Sequence, residues 1–137
     1  LTYSAHPLAC AAGIACVNYY KDANILENVN RVGKVLGNIL EELKEKHACV
    51  GDVRYIGLFS SIELVKDKAT KEPLVAYGKD PEGRMGKIIG ALKAKGFMTY
   101  SHENMIFVSP PLIITEEQIR EEMAKVDEVL TEVDKTI

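Results

Sequence analysis

Val50-Gly51-Asp52-Val53-Arg54-Tyr55-Ile56-Gly57-Leu58-Phe59-Ser60-Ser61-Ile62-Glu63-Leu64-Val65 is where the chain changes its period. Val53 and Tyr55 alternate with Arg54 and Ile56; beyond Gly57, Leu58, Ser60, Ile62 and Leu64 alternate with Phe59, Ser61, Glu63 and Val65. A repeat of two sends successive side chains to opposite faces, so these are strands, and Gly57 marks a bend or bulge between them.

Upstream the repeat is helical. Ile25, Val29, Val32, Leu36, Ile39 or Leu40, and Leu43 recur at steps of four and three, one apolar face on a helix of five or six turns. Asn24 and Glu27 have the spacing of a capping box at its start, and Lys44, Lys46 and His47 bring positive charge to its end. An earlier helix begins at Pro7, where a missing N–H is harmless, and runs to about Tyr20. Its side chains are mostly small (Ala9, Cys10, Ala11, Ala12, Gly13, Ala15, Cys16), which implies burial on more than one side, in a core or at an interface.

Downstream, Lys66 to Lys79 is polar with Pro73 and Gly78 and reads as an exposed loop. Asp80-Pro81 restarts a helix with Met85, Ile88, Ile89 and Leu92 on one face, ended by Lys93, Lys95 and Gly96. Phe97 to Tyr100 and Met105 to Ser109 are short strands around a four-residue hairpin loop, Ser101 to Asn104, and Pro110-Pro111 stops the second. Thr115 and Gln118 cap a last helix bearing Ile119, Met123, Val126, Leu130 and Val133. The order α, α, β, β, α, β, β, α predicts an α+β fold: a two-layer small domain in which about four helices cover a short, largely antiparallel sheet.

The 137 residues fit one domain, and 47% apolar with 27% charged residues is an ordinary globular composition. A net charge of −3 and a pI near 5.7 argue against nucleic acid or an anionic membrane as partner. The ten apolar residues from Leu8 to Val17 fall short of the roughly 20 that a bilayer crossing takes. Three cysteines without paired spacing (Cys10, Cys16, Cys49) suit a reducing, cytoplasmic setting. The chain opens Leu1-Thr2-Tyr3-Ser4 with neither initiator Met nor leader regions, so the expectation is a piece of a longer protein.

Most catalytic constellations fail. His6, His47 and His102 lie in separate segments without metal-ligand spacing. Cys10 and Cys16 sit about 120° apart around a helix, and phosphate-loop, dinucleotide and nucleophile-elbow glycine patterns are absent. The acidic pairs Glu41-Glu42, Glu116-Glu117 and Glu121-Glu122 fall on solvated helix positions. One segment differs: Thr2-Tyr3-Ser4-Ala5-His6 places hydroxyls directly before a helix start, where unsatisfied N–H groups and the helix dipole stabilise an anion such as phosphate. Simple capping by Ser4 or His6 is the competing reading.

Thr2-Tyr3-Ser4-Ala5-His6-Pro7-Leu8-Ala9-Cys10-Ala11-Ala12 resembles the Thr-aromatic-Ser/Gly-Gly/Ala-His/Asn-Pro segment of the class III aminotransferases, pyridoxal-phosphate enzymes of fold type I. Gly51 to Leu58 with Ile62-Glu63-Leu64 is similar to their first C-terminal strands, and Ser109-Pro110-Pro111-Leu112 with Thr115-Glu116 to their last hairpin and helix. Three motifs in order span the chain, and the resemblance implies that residues 1–137 form the C-terminal small domain. It further implies a cofactor, pyridoxal 5'-phosphate, whose phosphate is held across a homodimer interface by Thr2, with Tyr3 and Ser4 lining the site and His6 holding the turn. The implied partners are the large domain of the same chain, a homodimer partner, and small-molecule amine and keto-acid substrates.

The Schiff-base lysine of that family has no counterpart among the thirteen lysines of this sequence, so the chain is expected to be inactive alone and to carry no catalytic residue itself. Where many members carry an arginine three residues before Pro-Pro, to clamp a substrate α-carboxylate, this sequence has Phe107, with His102 the nearby basic group. The wording and the absent arginine look closest to the ω-amino-acid:pyruvate branch. The alternative is a free-standing α+β binding or regulatory module without catalysis, or a self-associating piece.

Overall fold

The computed structural model describes residue 2 and residues 4–137. Nine elements follow one another: α1 (Pro7–Asp22), α2 (Ile25–Lys46), β1 (Val50–Ile56), β2 (Phe59–Asp67), β3 (Glu72–Pro73), α3 (Arg84–Ala94), β4 (Ser101–His102), β5 (Met105–Val108) and α4 (Glu116–Asp134). The strands form an antiparallel sheet in the order β1-β2-β5-β4, with β3 paired to β2. Four helices and a small antiparallel sheet make the α+β domain that the periodicities predict.

The core lies between the sheet and the apolar stripes of α2, α3 and α4. Val32, Leu36, Leu40 and Leu43 from α2 meet Val53, Leu58, Ile62 and Leu64 from the first hairpin and Ile119, Met123, Val126, Leu130 and Val133 from α4. Each fully buried aliphatic side chain of this kind stabilises the fold by about 1.5–3 kcal/mol. α1 stands apart, with no buried residue. Within this chain it belongs to no core, although its small side chains predict enclosure.

The feature at Gly57 is a hairpin turn and not a bulge. Ile56 pairs with Phe59, so Gly57 and Leu58 are the two turn residues, and Gly57 takes φ +56 at the first of them. Hairpin turns of the II′ kind place glycine there, because a side chain disfavours that backbone. The same turn lies under α2. A Cβ on Gly33 would sit 2.7 Å from the Gly57 carbonyl oxygen, and one on Gly37 would sit 2.6 Å from the Tyr55 ring. Two glycines four residues apart thus let α2 lie close on the hairpin, Gly33 against the backbone of its turn and Gly37 against the Tyr55 ring.

Other boundaries shift for identifiable reasons. Asn24 does not close a capping box: it is left-handed at φ 49 and its side chain caps nothing. Asn28, one turn further on, donates to the Leu112 and Ile114 carbonyls at 2.8 and 3.0 Å and fastens α2 to the segment after Pro110-Pro111. The loop after β2 is not wholly exposed, since β3 pairs with β2 and feeds Leu74 and Val75 into the core. α3 begins at Arg84, later than Asp80-Pro81 suggests; the Asp80 carboxylate nevertheless accepts the N–H groups of Arg84 and Met85 at 2.8 and 3.0 Å. Phe97 to Tyr100 forms no regular strand, and the second hairpin is shorter and tighter than predicted. His102 pairs with Met105 around the two-residue turn Glu103-Asn104, with Glu103 left-handed at φ 52. α4 starts as predicted, with a complete capping box between Thr115 and Gln118.

Candidate functional site

Thr2 and Ser4 lie exposed in the turn that leads into α1, and Ala5 after them is left-handed at φ 57. Tyr3 lies outside the described residues. His6 is the residue before the helix, Pro7 fills its first turn, and no side-chain hydrogen bond caps it. The first intrahelical bond runs from the Cys10 N–H to the His6 carbonyl at 2.9 Å. The amides of Leu8 and Ala9 therefore have no acceptor within the helix. Among the described residues no side chain caps this helix start, and two hydroxyls beside it suit a doubly charged oxyanion, which gains both hydrogen bonds and the positive end of the dipole. The fit to a phosphate ester is good.

The second surface is the uncovered face of the sheet. Cross-strand register puts Ser61 opposite Phe107, while the Phe107 N–H donates to the Tyr100 carbonyl on the other side. Phe107 is stacked on both flanks: its ring centroid lies 4.8 Å from that of Tyr100, at an interplanar angle of 12°, and 6.2 Å from that of Phe59. The Thr99 hydroxyl donates to the Phe107 carbonyl and steadies the strand. Arg54, on the same face, is already committed: it donates to Glu63 at 2.5 Å and pairs with Asp52 at 3.2 Å. His102 sits exposed opposite Met105, on this face as well. The middle of the open face is thus a neutral aromatic shelf with no guanidinium fork upon it.

A third cluster escaped the sequence reading. At the far end of α2, His47 contacts Asp127 and Asp134 of α4. Burial acts on the Asp127 carboxyl upward, but hydrogen bonds from Lys46 and His47 outweigh it and hold the group below its ordinary range. Asp134 is held low in the same manner, with burial opposed by hydrogen bonds from the Cys49 side chain and amide and from His47. Burial pushes the Cys49 thiol far up, so it stays protonated and inert. The available signal was the spacing of Asp127 and Asp134, seven residues apart and so on one face of α4.

Cofactor chemistry in the family implied by the sequence begins from a desolvated lysine, and none of the thirteen lysines is buried. Lys44 is drawn upward by its hydrogen bond to Asp52, the direction opposite to activation.

A sequence model of the family Aminotransferase class-III matches residues 1–130. Among curated proteins, the chain is 38% identical over 133 residues to ethanolamine-phosphate phospho-lyase homolog 1 of Caenorhabditis elegans, covering 95% of this chain and 27% of that protein. It is 36% identical over 126 residues to the taurine–pyruvate aminotransferase of Bilophila wadsworthia, covering 91% and 28%. Among solved structures, the taurine:2-oxoglutarate aminotransferase of Bifidobacterium kashiwanohense, in complex with PLP and glutamate, superposes with a TM-score of 0.92 at 47% identity, over 98% of this chain and 30% of that one. The chain therefore spans under a third of the length of the proteins it matches. With sequence pattern and fold in agreement along nearly every residue, the chain belongs to the class III aminotransferases.

Proposed function

We propose that the chain is the C-terminal domain of a pyridoxal-phosphate-dependent aminotransferase that moves an amino group from an ω-amino acid or amine to a keto acid such as pyruvate. Pyridoxal phosphate, when bound, supplies an electron sink that lets a carbon beside the amine give up its proton. Within this chain, Thr2, Ser4 and the first-turn amides of α1 hold the phosphate end of the cofactor across a homodimer interface, with Tyr3 beside them. The support is the pairing of exposed hydroxyls with a helix start that no described side chain caps. The exposed face of α1 packs against the partner subunit or the large domain of the same chain, which cover what is uncovered in isolation. Three free cysteines favour a cytoplasmic enzyme.

Phe107 carries the choice of donor. The shelf of Phe59, Phe107 and Tyr100 offers a donor carboxylate no fixed bidentate cation, and Arg54 is spent on Glu63 and Asp52, so the carboxylate of the keto acid is met by groups outside this chain. Taurine and ethanolamine phosphate, named for two of the relatives, are primary amines without an α-carboxylate. The shelf walls the substrate site, keeps water from it and accepts a carbon chain.

The test is a donor panel on the intact enzyme with pyruvate as acceptor. Taurine, β-alanine or a simple amine should turn over at least about tenfold better than ornithine or glutamate, one missing charged contact being enough for that ratio. Preference for an α-amino acid donor would overturn the donor class. An intact protein that binds no cofactor would overturn the enzyme reading as a whole.

A further inference from the structure

Ser60 and Ser61 are neighbours in the chain and opposites in the fold. Ser60 is 1% exposed, and its hydroxyl donates to the Val108 carbonyl at 3.2 Å. Ser61 belongs to the open face, because side chains alternate along a strand. It is half-buried, and its hydroxyl makes no hydrogen bond among the described residues.

Its neighbours on that face are fixed by register. Arg54 of β1 lies opposite it on one side and Phe107 of β5 on the other. Directly opposed residues of an antiparallel sheet have Cβ atoms about 5 Å apart, so Ser61 stands between the Arg54 and Phe107 side chains. β2 is paired along both edges here, which leaves the hydroxyl little freedom beyond rotation about χ1.

The polar groups around it are occupied. Arg54 donates to Glu63 and pairs with Asp52, Asp52 also accepts from Lys44 at 2.8 Å, and the Thr99 hydroxyl donates to the Phe107 carbonyl. The four charges in this set cancel in pairs. His102 is likewise without a hydrogen bond among the described residues, but it lies exposed in another row, opposite Met105. Beside the Phe107 ring, the group with a bond to give is the Ser61 hydroxyl.

We propose that Ser61 sets the specificity for the far end of the amine donor. This rests on the reading that the shelf of Phe59, Phe107 and Tyr100 walls the substrate site. A short carbon chain laid across the Phe107 ring carries its far end toward the next strand, where the Ser61 hydroxyl donates to it. The end selected is an oxygen acceptor, a carboxylate or a sulfonate, because a hydroxyl donates more strongly to an anion than to a neutral group. An alkyl end of the same shape displaces water from the hydroxyl and returns no bond. One hydroxyl is not a fork: it orients the tail and moves no proton in the reaction.

The test uses the intact holoenzyme with pyruvate as acceptor and two donors of equal size, β-alanine and isopentylamine, in which an isopropyl end replaces the carboxylate. Ser61→Ala should raise the KM for β-alanine about tenfold and leave kcat within about twofold, as the loss of one bond to a charged group predicts. The KM for isopentylamine should stay level or fall, since its tail makes no use of the hydroxyl. Ser61→Thr keeps a hydroxyl and should bring the β-alanine KM back to within about threefold of the unsubstituted enzyme. Equal shifts for both donors, or an unchanged KM for β-alanine in Ser61→Ala, would overturn the role of Ser61 and leave the donor class standing. An unsubstituted enzyme that turns over neither amine would overturn both.

Discussion

α1 and α4 are both long helices, yet they stand in opposite relation to the core. α4 buries Ile119, Met123, Val126, Val129, Leu130 and Val133 and starts with two reciprocal capping bonds. α1 buries nothing, has no side-chain cap, and leaves Leu8 74%, Ile14 63% and Val17 54% exposed. Helices in water take most of their stability from a packed face, and an uncovered 16-residue helix is marginal. α4 is therefore part of what makes the domain fold, whereas α1 leaves its apolar side chains on the surface, where the assembly proposed above would cover them.

The contrast can be broken most sharply by Leu130→Ala. A fully buried leucine replaced in this way leaves a cavity, and denaturant unfolding should show a loss of about 2–5 kcal/mol. Next comes Gly33→Ala in α2. Helix propensity alone favours it by about 1 kcal/mol, but the added methyl meets the Gly57 backbone, so the net result should be a loss of about 1–3 kcal/mol. Thr115→Ala removes the cap of α4 and should cost about 1 kcal/mol in the same assay.

Acid gives a milder probe. Asp52, held low by its hydrogen bond to Lys44, and Asp127 and Asp134, held low by theirs despite burial, contribute stability that is complete above the ordinary carboxylate range. That part is lost as pH falls below about 4 and through the depressed folded values, so the midpoint in urea should drop there, and less in Asp134→Asn. The smallest effect belongs to α1: Leu8→Ala should change the stability of the isolated chain by no more than about 0.5 kcal/mol. The same substitution in the intact enzyme should weaken subunit or domain association, which sedimentation would detect.

Legibility in the sequence followed the range of the interactions. α2 and α4 were readable because their stripes repeat over five or more turns, and Thr115 with Gln118 is a signal only four residues wide. Both hairpin strands around Gly57 were readable from alternation, but not the turn, since bulge and hairpin differ only in which residues pair. β3, with Leu74 and Val75, was hidden because two residues of pairing inside a polar stretch leave no period. Asn24 failed as a cap for a local reason: a left-handed backbone turns its side chain away from the amides it should meet. At the candidate site, the polar run before Pro7 was visible as a helix start, while the stack around Phe107 depends on partners from Phe59 to Tyr100 that only the sheet brings together. His47 lies 80 and 87 residues from its two carboxylates, beyond any local pattern.

The distribution of thiols gives the molecule its own reporters. Cys10 and Cys16 ride on α1 in the open, while Cys49 is sealed in the core with its proton held fast. A maleimide added to this chain should consume two equivalents promptly and a third only as fast as the core opens. In the assembled enzyme the fast pair should slow wherever another surface shields α1, so one colourless reagent can time both docking and unfolding in a single trace.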